Sequence, residues 1–115
     1  MKVYRIEHEK MQCGPYQGGA AMSGRYWDEK TCPGACDDGL RDISYEEVFG
    51  FKSVRQLLDW FRLWDIWTWR KSGFAVYRYS IADEYVRFGG KQLVFVQAKA
   101  QSRQQVRWLP LQLVS

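Results

Sequence analysis

The chain predicts an α+β fold: a small, mostly antiparallel sheet with one or two helices packed on one face and a long N-terminal loop region. Three observations carry this. Residues 49–95 read in order as a capped amphipathic helix, a glycine stop, a strand and a glycine-turned hairpin. Val3-Tyr4-Arg5-Ile6-Glu7 alternates apolar and polar residues, which is the period of a strand. Between them, residues 8–43 show no sustained periodicity. A length of 115 residues suits a single domain, 1–115, with a core of its own.

In the first strand alternate side chains fall on opposite faces, so its buried set depends on register. The excursion after it is rich in Gly, Asp and Cys and contains Pro15 and Pro33. Loops of that length are uncommon in compact domains and often functional, and short helical or extended pieces are expected within it near Tyr45–Val48. Ser53 then opens the clearest helix. With Gln56 three residues on it forms a capping box, in which each side chain satisfies a backbone N–H that the helix leaves open. Val54, Leu57, Leu58, Phe61 and Trp64 share one helical stripe, flanked by Trp60 and Trp67. Asp65 marks a break into a second short helix ending at Lys71, where Arg70 and Lys71 suit the helix dipole and Gly73 fits a left-handed cap.

Phe74–Ile81 follows as a strand rich in Tyr, Val and Phe. Tyr85–Phe88 and Lys91–Gln97 flank Gly89-Gly90, which reads as a two-residue turn with positive φ at both centres. Residues 98–107 are polar and read as a loop or a short helix. Trp108–Val114 reads as a last edge strand, because Pro110 is poorly tolerated in a sheet centre.

Composition narrows the function classes. Hydrophobic residues make up 46% and aromatics 17%, enough for a packed core without disulfides. No apolar run approaches a membrane span, and the N-terminus has no signal-peptide core, so a cytoplasmic protein without a membrane partner is expected. Charge is split along the chain. Residues 1–50 hold six Lys/Arg against nine Asp/Glu, about −3; residues 51–115 hold eleven against four, about +7. Such a split favours polyanions or acidic protein surfaces as partners, and it equally describes a mixed surface that keeps a protein soluble.

Four groups of residues carry candidate chemistry. Cys13, Cys32 and Cys36 with His8 have the donor types of a four-coordinate zinc site, and Cys32 and Cys36 have a spacing used by zinc ligands. The short second cysteine pair is missing, so zinc and unliganded thiols both remain open. Gly14, Gly18 and Gly19 follow the first strand, but no helix pattern succeeds them, which argues against a dinucleotide cradle. Trp60, Trp64, Trp67 and Trp69 lie among Arg55, Arg62, Arg70 and Lys71. Most of these rings belong to the apolar stripe. Trp69 lies off it if the helix continues, and is the ring expected to be exposed for binding. Gln92 in the last hairpin strand is either a cleft residue or a half-exposed strand residue. The binding residues expected are Trp69, Arg70, Lys71, Arg87, Lys91, Arg103 and Arg107. No complete catalytic set stands out, so an enzyme is the less favoured reading.

The blocks VYRIE, CGPY, CPGACDDGL, FGFKSVRQLLDWF, SGFAVYRYS and VRFGGKQLVF resemble a family of small, mostly uncharacterised proteins of bacteriophages and prophages, over roughly residues 2–97. The resemblance implies a viral accessory protein at work in the host cytoplasm. Such proteins are commonly host-takeover or counter-defence factors that bind and inhibit a host protein complex, anti-CRISPR inhibitors among them. Direct nucleic-acid binding through the same basic, aromatic residues is the alternative. A second similarity, in topology, is to some ADP-ribosyltransferases: it would make Arg5 the NAD-contacting arginine and put Gln92 where that family has its catalytic glutamate. Glutamine lacks the carboxylate that a cationic ribosyl transition state needs, and the nearest acid, Glu84, falls in a connection.

Overall fold

The structure, a computed structural model, describes residues 1–10, 12, 14 and 38–106. It is α+β: six strands in two antiparallel sheets, and two helices, among the described residues. In the first sheet the central strand is β3 (Phe74–Ser80), with β1 (Lys2–His8) on one side and β6 (Ser102–Gln105) on the other. β1 and β3 pair along seven residues, from Lys2 opposite Ser80 to His8 opposite Phe74. The second sheet has β5 (Leu93–Val96) between β2 (Glu47–Gly50) and β4 (Val86–Phe88). One bridge joins the sheets: Tyr4 and Phe51 exchange two backbone hydrogen bonds of 2.7 Å.

Alternation along β1 and β3 gives the first sheet two unlike faces. Ile6, Phe74 and Val76 pack under the helices with Phe51, Leu57, Trp60, Phe61, Ile66 and Trp69, forming one core cluster. The opposite face carries Val3, Arg5 and Glu7 beside Ala75, Tyr77 and Tyr79. There Val3, Tyr77 and Tyr79 meet Leu93, Phe95, Val86 and Ile81 in a second cluster. Gly50 sits at this junction, where an added Cβ would lie 2.7 Å from Val3 Cγ1 and 3.0 Å from the Phe95 ring. Gly50→Ala is expected to destabilise the protein by about 1–3 kcal/mol through overpacking, measured as a lowered urea midpoint.

The capping box is present at α1 (Val54–Trp60). Ser53 Oγ accepts from the Gln56 N–H at 3.1 Å, and Gln56 Oε1 accepts from the N–H of Lys52, one residue before the cap. The break comes earlier than Asp65. Phe61 and Arg62 are both extended, and α2 (Leu63–Trp69) starts after them, with Asp65 in its first turn paired to Arg62 at 3.2 Å. An acid there suits the positive end of the helix. A 3₁₀ turn, Arg70–Ser72, ends on Gly73 in the left-handed conformation, as expected.

Three expectations need correction or lie elsewhere. Gly89 and Gly90 do not form a positive-φ two-residue turn; among the described glycines only Gly39 and Gly73 have positive φ. Four residues separate β4 from β5, closed by Gly89 N–H donating to the Gln92 carbonyl at 2.8 Å. Their lack of side chains instead makes room for Asp38, whose carboxylate would be 2.5 Å from a Cβ at Gly89. The polar stretch 98–107 contains an edge strand, β6, after a 3₁₀ turn at Gln97–Lys99. Pairing with β3 decided its state, and its sequence has little strand preference of its own. The edge strand expected at Trp108–Val114 lies outside the described residues.

Candidate functional site

Two neighbourhoods gather the polar and aromatic side chains: a largely buried cluster on the first sheet, and an exposed patch after α2.

The cluster centres on Glu7, which is fully buried. Strand alternation sets Arg5 and Glu7 on one face, and β6 brings in Arg103 opposite Tyr79. Glu7 Oε2 accepts from Arg5 Nε at 3.0 Å and from Gln97 Nε2 at 2.9 Å; Oε1 accepts from Arg103 Nε at 2.6 Å and from the Tyr79 hydroxyl. Arg5 Nη1 also donates to the Phe49 carbonyl at 2.7 Å, tying the two sheets together. The Arg103 guanidinium lies 3.7 Å from the centre of the Tyr77 ring, a cation–π contact. Burial disfavours the charge on Arg103, but the bond to Glu7 and its negative charge hold its pKa above the usual arginine value.

Burial, and then the bond to Glu7, push the Tyr79 hydroxyl up to about 12. The sign follows from proton counting. Above the unfolded tyrosine value of 10 the unfolded chain gives up this proton while the folded chain keeps it, so stability is fully present below pH 10 and lost between about 10 and 12. Ultraviolet titration is expected to show a tyrosine step near pH 12 or only on unfolding, which Tyr79→Phe removes.

The earlier helix break re-phases α2 and corrects the expectation for Trp69. Trp69 is 6% exposed and packs against Phe61, while Trp67 is 46% exposed. The Arg70 guanidinium lies 5.1 Å from the centre of the Trp67 ring, and Arg70 and Lys71 are both exposed on the following turn. Trp67 is thus the outward ring, whereas the sequence predicts it beside the buried stripe.

The other expected binding residues are dispersed. Arg87 bonds Glu47 through Nε at 2.8 Å and Nη2 at 2.9 Å, and its Nη1 donates to the Arg41 carbonyl at 2.8 Å. The Arg87 bond holds the Glu47 carboxyl below its usual pKa and, reciprocally, raises that of Arg87. Lys91 is exposed, with its backbone N–H on the Asp38 carboxylate at 2.9 Å. Arg107 lies outside the described residues, as do Cys13, Cys32 and Cys36. His8 stands edge-on to Phe74 at 5.4 Å and its Nδ1 accepts from the Lys10 N–H at 3.2 Å. Gln92 is buried at the entry to β5 and Glu84 is exposed in a 3₁₀ turn.

The charge split therefore has an internal role. Glu7 and Glu47 from the acidic half take Arg103 and Arg87 from the basic half. Glu7, Tyr79 and Gln97 were not singled out by sequence; the one signal was Glu7 two positions from Arg5 on a strand.

Among the described residues no helix is long and apolar enough to cross a membrane. No curated protein and no solved structure is significantly similar to the chain. Its residues 1–109 do match one family profile, described as the bacteriophage T4 Y00F protein, and the chain, whose buried Arg5–Glu7–Arg103 cluster falls wholly within that span, belongs to this phage protein family.

Proposed function

We propose that this is a phage accessory protein that acts by binding and inhibiting a host macromolecular complex, of the counter-defence kind that includes anti-CRISPR inhibitors. The observation that carries the reading is the exposed Trp67 with Arg70 stacked on it and Lys71 beside it. Tryptophan and arginine are the residues most enriched in binding hot spots, and basic neighbours speed capture of an acidic surface. Membership in a phage family supports the setting. Arg87 and Arg103 contribute less to such a surface, since each is engaged in an ion pair within the fold.

The test uses the full chain and a Trp67→Ala/Arg70→Glu/Lys71→Glu variant. The wild type is expected to form a stoichiometric complex with one host defence assembly and to lower its activity, and the variant to lose at least about tenfold in affinity, or 1.4 kcal/mol. Equal inhibition by both proteins would reject this surface. Binding to naked nucleic acid that falls steeply with salt would favour the nucleic-acid alternative, because phosphate contacts release counterions.

The enzymatic alternative needs an accessible Arg5, and its burial on β1 against Glu7 and the Phe49 carbonyl weighs against it. In an ADP-ribosyltransferase-like protein this arginine would face NAD. Gln92 in place of a carboxylate weighs against turnover. NAD-dependent labelling of a host protein, lost in Arg5→Lys, would support it.

A further inference from the structure

We propose that the Gly89–Gln92 turn is an oxyanion-binding nest, that the Asp38 carboxylate is its built-in ligand, and that a phosphate-bearing ligand competes with Asp38 for it. The donors are backbone groups. The Lys91 N–H lies 2.9 Å from both Asp38 carboxylate oxygens, and the Gln92 N–H lies 3.0 Å from Oδ2. The Gly90 N–H donates to the Asp38 carbonyl at 2.9 Å. Consecutive N–H groups turned to one point make a concavity that takes carboxylate and phosphate oxygens alike.

The two glycines let Asp38 approach this closely. Neither Gly89 nor Gly90 has the positive φ that usually demands glycine. A Cβ on Gly89 would lie 2.5 Å from Asp38 Oδ2, 2.8 Å from the Asp38 carbonyl oxygen and 3.0 Å from that of Gln92, and one on Gly90 would lie 3.0 Å from Asp38 Oδ1. The turn is thus bare where Asp38 packs against it. Asp38 is half-buried and Lys91 is exposed, so solvent reaches the rim.

Displacing Asp38 would have consequences downstream. The same segment seats Leu40 in the interior and offers the Arg41 and Asp42 carbonyls to Arg87. Ligand capture at the turn is therefore coupled to release of residues 38–42. This device is separate from the Trp67 surface and stands or falls without it.

Amide NMR of the full-length protein during titration with inorganic phosphate tests the idea. The wild type is expected to show weak, saturable shifts at Gly90, Lys91 and Gln92, since its own carboxylate competes. Asp38→Ala is expected to bind at least about tenfold more tightly at the same amides, because the closed state no longer lowers the apparent affinity. Adding Gly89→Ala, whose methyl occupies the oxygen position, is expected to abolish the gain. Should Asp38→Ala fail to fold, Asp38→Asn, which keeps the shape and drops the charge, is read in the same way. Absence of saturable shifts in wild type, absence of tightening in the folded Asp38 variant, or equal binding with and without the Gly89 methyl would each overturn the proposal.

Discussion

Glu7→Ala is expected to cost about 3–5 kcal/mol, because it leaves two guanidiniums without the buried carboxylate they share. Glu7 is fully buried and accepts from Arg5, Arg103, Gln97 and Tyr79. Removing it leaves the buried Arg5 and Tyr79 donors without an acceptor where water cannot replace it cheaply, while the half-buried Arg103 and Gln97 lose theirs at smaller cost. The melting temperature should fall by roughly 10–20 °C for a domain of this size. Glu7→Gln retains the shape and one oxygen acceptor, so its loss should be smaller. Arg103→Met should be milder than Glu7→Ala, since Arg5 still neutralises the acid and the stem still covers Tyr77. Chemical denaturation of the three variants checks the order. Near-wild-type stability of Glu7→Ala would mean that the cluster contributes nothing.

The second large effect separates two tryptophans only two residues apart. Trp69→Ala is expected to destabilise by about 3–5 kcal/mol, the usual range for an aromatic lost from a core. Its ring meets Phe61 at 5.6 Å, edge to face, in the cluster that attaches both helices to the first sheet. Trp67→Ala is expected to change stability by no more than about 0.5 kcal/mol, as a surface substitution, while weakening partner binding. The same pair of variants thus reads out fold and function separately. If Trp67→Ala proved as damaging to folding as Trp69→Ala, the orientation of α2 described above would be wrong.

Much of the fold was legible because local signals agreed with tertiary ones. Ser53 and Gln56 marked a helix start, Gly73 marked a stop, and the alternation in Val3–Glu7 and the Tyr, Val and Phe of Phe74–Ile81 marked two strands that do pair. What escaped was set by distant contacts. β6 is polar and becomes a strand only because β3 and Glu7 receive it. The glycines at 89 and 90 looked like a turn signal, yet they serve a carboxylate some fifty positions away in sequence. Trp69 turned inward because the helix broke at Phe61–Arg62, and periodicity alone cannot locate a two-residue interruption. Of the exposed patch, Arg70 and Lys71 were readable from composition; the buried cluster was not, since Glu7, Tyr79 and Gln97 are separated by up to 90 residues.

The Tyr4–Phe51 bridge has a mechanical meaning. Among the described residues, backbone pairing between the two sheets narrows there to a single residue pair, so few main-chain bonds carry load across the seam. Rigidity across it falls to side chains: the Arg5 strut onto Phe49 and the wedge of Val3, Leu93 and Phe95. Loosening that wedge would let one leaf of strands pivot against the other while each stays internally knitted.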